Sequence, residues 1–381
     1  MTDNATAAGL TEVDYDPFAS DELARAVPTT EAQREVWLAD RLSSEASLAY
    51  NESVTLSLVG RIDMRSVQNA LLALSDRHEA LRSTISDDGM NMLIAPRGNL
   101  HARVVDLSGD ASEERVTALA ALKIEAVETP FDLQRGPLIR AVMVALGDSH
   151  ALILTAHHIA CDGWSFGVLV KDFTTLYDSI ESGRSNVTLP SADSFGDFAL
   201  SLGDAAQLAD ADADNRYWVA LYDGSVPMLE LPSDHARPAT RTFRSDRVDL
   251  TIPASLVDAI RQLGAKHGAS LFVALFSTYA ALMSRLCGSD DVVIGVPAAG
   301  QSAHGKNSLV GHCANLLPIR VPVDIEQTFP ALLASSRSRV LDAYEHQSAT
   351  FGGILRKLQI ERDPGRLPLV SVLFNLDAAI P

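Results

Sequence analysis

Apolar positions along this chain recur with two different periods, and the changes of period mark out its elements. Val54, Leu56 and Leu58 alternate with polar neighbours, the pattern of a half-buried strand. Met64, Val67, Leu71, Leu74 and His78 fall three and four apart, which predicts an amphipathic helix with Asp63 as its N-cap. Thr30 and Gln33 have capping-box spacing and open a helix carrying Val36, Trp37 and Leu38. Residues 138–146 and 151–156 are apolar runs, interrupted only by Arg140 and Thr155 and separated by Gly147, Asp148 and Ser149, so a hairpin is expected there. Leu169, Phe173, Leu176, Tyr177 and Ile180 then return to helical spacing until Gly183, with Ser165 as the expected N-cap.

Pro and polar residues thicken over 184–193 and 225–242 around a helical stretch that holds Tyr217 and Trp218. Beyond them the pattern predicts a strand at 248–252, helices at 254–263 and 269–286, and an apolar strand at 292–296 that ends in Pro297. The order of strand, helix and strand repeats without sequence identity. The expected fold is therefore mixed α/β with two related lobes: a flexible tail or linker over 1–27, an N-terminal lobe over 28–183, a connection with a helix inside it over 184–242, and a C-terminal lobe over 243–381. A length of 381 residues agrees with two cores.

Composition narrows the function. Lys and Arg number 31 against 49 Asp and Glu, a formal charge of -18, and no basic block interrupts it, so neither nucleic acid nor an anionic membrane surface is an expected partner. The three cysteines, Cys161, Cys287 and Cys313, are odd in number and lack metal-ligand spacing, which predicts a reducing compartment, no disulfide framework and no metal. The N-terminus has acidic residues where a signal peptide needs basic ones, so the expected location is cytoplasmic.

The candidate chemistry lies in HHIACDG at 157–163, at the end of the second hairpin strand. Histidine titrates near neutrality and suits proton transfer. The glycine admits backbone conformations closed to other residues, and the helix that follows supplies oriented N–H groups. Ser165 lacks the flanking glycines of a nucleophile elbow, so the site reads as proton handling without a covalent step. An isolated histidine at a strand end is more often structural, and neighbours on a strand face opposite sides. At most one of His157 and His158 faces a cleft.

That heptad resembles the signature of the condensation domains of nonribosomal peptide synthetases, and six further stretches are similar to the family's other motifs in the same order: TEAQREVWL at 30–38, RHEALR at 77–82, SFGDFA at 194–199, IGVPAAG at 294–300 with VGHCANLLPIR at 310–320, HQ at 346–347 with TF at 350–351, and RDPGRLPL at 362–369 with FN at 374–375. The resemblance implies a chloramphenicol-acetyltransferase-like acyltransferase of two pseudo-symmetric lobes in a V. It binds no cofactor directly. Donor and acceptor carrier proteins present phosphopantetheine thioesters, an adenylation domain adjoins, and the acceptor amine attacks the donor thioester to form a peptide bond.

Residue by residue, the resemblance makes His158 catalytic and His157, Asp162 and Gly163 its support, with Gly163 expected to serve close backbone approach. Trp164, Ser165, Arg82, Asn315, Arg320 and Asn375 are candidates for the tunnel or its surroundings. The arginine with which the family's aspartate often pairs is Gln301 here, so Arg82 and Arg320 are the expected alternatives for Asp162. The wording of AYNESV at 49–54 and of GHCANLLPIR is similar to domains that follow polyketide modules. Family members continue beyond the seventh motif, so a C-terminal lobe that is incomplete, in a fragment of a larger synthetase, is also expected. The alternatives weighed are a free-standing coenzyme A acyltransferase and a non-catalytic module that docks carriers or recruits another enzyme.

Overall fold

The computed structural model describes residues 24–183, 189–224, 226–358, 360 and 363–377. The first half runs β1 (Arg25–Pro28), α1 (Glu31–Asp40), α2 (Ser44–Leu48), β2 (Asn51–Val59), α3 (Met64–Arg77), a single 3-10 turn, β3 (Ser83–Ile85), β4 (Asn91–Ile94), β5 (Ala102–Asp106), α4 (Ser112–Glu128), β6 (Ile139–Ala145), β7 (Ser149–His157) and α5 (Gly163–Glu181). After α6 (Phe195–Ser201) and α7 (Ala205–Leu221) come α8 (Ala254–Lys266), α9 (Leu271–Cys287), β8 (Asp291–Ala299), α10 (Gly300–Ala303), β9 (Ala314–Pro322), α11 (Phe329–Glu345) and α12 (Phe351–Leu358).

The predicted caps are present. Gln33 N–H donates to Thr30 Oγ1 and Thr30 N–H to Gln33 Oε1, both at 3.1 Å, and the Asp63 carboxylate accepts from Ser66 N–H at 2.8 Å. Helix α5 differs: its N-cap is Asp162, whose Oδ1 accepts from Ser165 N–H at 2.9 Å, and Ser165 sits one turn inside. A carboxylate is the better acceptor for orphan N–H groups at a helix start, which is why it takes the cap.

Strand β7 lies inside the four-stranded sheet β2-β7-β6-β5, antiparallel to both neighbours. Its apolar run covers two faces: Leu152, Leu154 and Ala156 join the first core, and Ala151 and Ile153 join a smaller cluster under α4. Each Leu or Ile of this run, fully buried, contributes roughly 1.5–3 kcal/mol. A second core gathers around α9, β8, β9 and α11. The segment between α7 and α8 packs as it connects, since Leu229 is buried in this second core, which also holds Trp218 and Tyr222.

Residues 248–252 pair with no strand among the described residues, and Val248 and Leu250 are 94% and 87% exposed. Their alternation registers a half-buried strand only where a neighbour accepts it. Beside β8, residues 372–374 exchange two backbone hydrogen bonds with Gly295, both 2.9 Å, and β8 itself continues through Pro297 to Ala299. No single helix among the described residues is long and apolar enough to cross a membrane.

Candidate active site

Strand β7 ends at His157, and the chain turns at once into α5 through residues 158–162. The two histidines part as alternation requires. His157 is fully buried in the first half, its Nδ1 accepting from Ile159 N–H at 3.2 Å and its Nε2 lying 3.4 Å from Asp40 Oδ1. His158 has a side chain 23% exposed and points toward the second half. Its backbone N–H donates to Tyr50 O at 2.7 Å, which pins the turn to the start of β2.

Two side chains bracket the His158 ring. Glu52 Oε1, on β2, stands 2.9 Å from Nε2, and His312 Nδ1, just ahead of β9, stands 3.0 Å from Nδ1. Burial disfavours the imidazolium of His158, but the Glu52 carboxylate, as acceptor and as charge, outweighs it and leaves the pKa above the ordinary value of 6.5. His312 goes the other way. Its burial, reinforced by His158 and His157 nearby, holds its pKa well below 6.5, so it is neutral at ordinary pH.

Asp162 fastens this arrangement. Its Oδ1 accepts from Ser165 N–H at 2.9 Å, Ser165 Oγ at 2.7 Å and Gln301 Nε2 at 3.0 Å; its Oδ2 accepts from Gln301 Nε2 at 2.9 Å and Cys313 N–H at 3.0 Å. Ser165 Oγ also accepts from Gly311 N–H at 3.1 Å. Asp162, Ser165 and Gln301 are each no more than 2% exposed. The knot ties the start of α5 to residues 301–313, and so sets His312 against His158.

The expectation of an arginine partner is therefore corrected: the glutamine itself holds Asp162. Arg82 instead donates to the carbonyls of Asp76 and Ala95, and Arg320 is tied to Asp291 at 2.6 Å and to Leu221 O at 2.8 Å. Neither reaches the site. A second correction concerns Gly163, which is exposed, has no positive φ and would meet nothing within 4 Å if it carried a Cβ. Close approach occurs at Gly311 instead, where a Cβ would run into the Phe195 ring.

Trp164 Nε1 donates to Asn307 O at 3.3 Å, a second tie between the halves. Asn315 bonds the backbone, donating to Gln347 O and Ala349 O and accepting from Phe351 N–H, while Asn375 is exposed and pairs with Asp377. Burial, and then the charge of Asp162, raise the Cys161 and Cys313 thiols well above the ordinary range, which leaves them without nucleophilic thiolate character. The stretches AYNESV and GHCANLLPIR contain Glu52 and His312 but do not mark them, because only the β2-to-β7 register and the Asp162 knot bring both to one ring.

The profile of the family described as "Condensation domain" matches residues 24–379. Malpinin synthetase of Mortierella alpina is 33% identical over 351 residues, 91% of this chain and 4% of that protein. Phosphinothricin tripeptide synthetase PhsC of Streptomyces viridochromogenes is 33% identical over 92% of this chain and 32% of its own length. The chain thus spans a small part of these relatives. Among solved structures, the X-domain in complex with OxyB from teicoplanin biosynthesis is similar, with a TM-score of 0.79 and 26% identity over 95% of this chain and 81% of that one. With the family profile spanning nearly its whole length, this chain belongs to the condensation-domain family and has that family's chloramphenicol-acetyltransferase-like fold.

Proposed function

We propose that this chain joins two thioester-bound substrates by an amide bond: the amine of an acceptor aminoacyl thioester attacks a donor acyl thioester, each carried on the phosphopantetheine arm of a carrier protein. His158 is the acid–base group. The observation that carries this reading is the placement of His158, partly exposed at the meeting of the two halves on a turn locked by Asp162, while the neighbouring His157 is buried. A tripeptide synthetase among the relatives supports the same chemistry. The test is product formation with loaded donor and acceptor carriers; His158→Ala should lower the rate on the order of 10²- to 10⁴-fold. Equal rates would refute the assignment.

The similar X-domain, solved in complex with OxyB, favours a second reading in which this chain recruits another enzyme. Absence of any product from the wild-type chain, together with retained binding of a partner enzyme, would decide for it.

A further inference from the structure

His158 presents no free nitrogen to the cleft. A carboxylate only accepts, so with Glu52 Oε1 at 2.9 Å the Nε2 position carries a proton, and Nδ1 faces His312 at 3.0 Å. A base that must take a proton from an incoming amine has to exchange one of these partners for it. His312 is 7% exposed and meets the ring edge to face, whereas the Glu52 side chain is 33% exposed. Glu52 is the partner that an incoming group meets.

An aminoacyl thioester brings an α-amine whose ordinary pKa is about 8, so it arrives near neutral pH largely as the ammonium. We propose that Glu52 is the acceptor-recognition residue of this site: its carboxylate binds the incoming ammonium beside His158 and removes its first proton. This rests on the amide-forming reading above. Paired with Glu52, His158 is the imidazolium, giving Nε2–H to the carboxylate and Nδ1–H to His312 Nδ1; as Glu52 turns to the ammonium it no longer stabilises that charge, and the Nε2 proton leaves to solvent. The lone pair on Nε2 then faces the nucleophile. The ammonium gives one proton to the carboxylate; the free amine forms the C–N bond as the C–S bond breaks; its surplus proton passes to Nε2 and on to the departing sulfur, which leaves as a thiol. The charged or titratable groups around the pair are Glu52 on β2, Tyr50 just ahead of it, His312 ahead of β9, His157 at the end of β7 and Asp162 on the turn.

The test uses the full chain with a panel of N-acyl aminoacyl donors on a carrier protein, and N-acetylcysteamine thioesters of glycine and of aminooxyacetate as acceptors. The alkoxyamine is neutral throughout the assay range. Glu52→Gln should lower kcat/KM for the glycyl acceptor on the order of 10²-fold at pH 7, recover as pH passes about 8, and change little with the alkoxyamine. A loss equal on both acceptors and at every pH, or no loss, overturns the inference. Amide formation by the wild type with neither acceptor overturns the functional reading and this inference with it. Independently of turnover, nitrogen NMR of the free chain should show the His158 pKa falling in Glu52→Gln with the remaining histidine signals in place; an unmoved His158 overturns the pairing.

Discussion

His158 and His312 meet edge to face across the two halves, ring centroids 4.8 Å apart and planes at 86°, with their Nδ1 atoms 3.0 Å from each other. One of the two nitrogens has to donate and the other accept. A neutral imidazole serves in either role, so His312 can partner His158 before and after a proton is taken up.

Replacing His312 should separate that role from packing. His312→Leu leaves His158 Nδ1 without a partner and should slow the single-turnover rate on the order of 10²-fold, the low end of acid–base contributions; His312→Asn, which both donates and accepts, should lose less. Equal rates in the two variants would show that shape alone matters.

The same residue makes stability depend on pH. Its pKa is low in the folded chain and 6.5 in the ordinary state, so the unfolded chain binds the extra proton. Its contribution is complete above 6.5 and is lost as pH falls from there toward the folded value. Denaturant titrations between about pH 7.5 and 5 should show wild-type stability declining more steeply than that of His312→Asn.

Asp162 is surrounded by donors alone. Asp162→Ala strands Gln301 Nε2 and Cys313 N–H in the interior and should cost about 3 kcal/mol or more in urea unfolding. Asp162→Asn should be little better, because its amide would set N–H against N–H.

A pH response of opposite sign belongs to Glu35 on α1. Burial, then the neighbouring Glu31, push its carboxyl from 4.5 up to about 7. The folded chain therefore holds this proton longer than the unfolded chain. Stability from it is full below pH 4.5 and is lost as pH rises through 7, by about 3 kcal/mol at most. Glu35→Gln should flatten that loss between about pH 5 and 8 in thermal melts; an unchanged slope would refute it.

Two glycines should respond differently to a methyl group. Gly163→Ala has open space and should leave the melting temperature unaltered, whereas Gly311→Ala drives a Cβ into Phe195 and should destabilise by about 1–3 kcal/mol, the usual cost of overpacking. Thermal melts of both variants check this directly.

Local signals are legible where one element decides them. The Thr30 and Asp63 caps, the α3 stripe and the β6–β7 hairpin follow from spacing because their partners lie within a few residues. The divergence of His157 and His158 follows from strand alternation. What escapes depends on distance along the chain. Gln301 lies 139 residues from Asp162 and His312 lies 154 from His158, and no periodicity records such meetings. The alternation at 248–252 misleads for the converse reason, since period 2 reports a capacity to pair and not a partner. In the sequence Gln301 reads as a missing charge, yet an amide nitrogen donating to both oxygens, with Ser165 and Cys313 N–H, satisfies a buried carboxylate without adding a second ion to desolvate.

Leu309, Val310 and Cys313 belong to the second half by sequence but are packed in the first core, in one cluster with Phe195 and Ile159. For anyone recombining condensation domains, the natural seam of this chain is accordingly not its linear midpoint. A chimera that exchanges everything after α7 would bring a foreign 300–313 segment against a resident Asp162, Ser165 and Phe195. Grafts that carry this segment together with the first half keep the lock and its keyhole from the same parent.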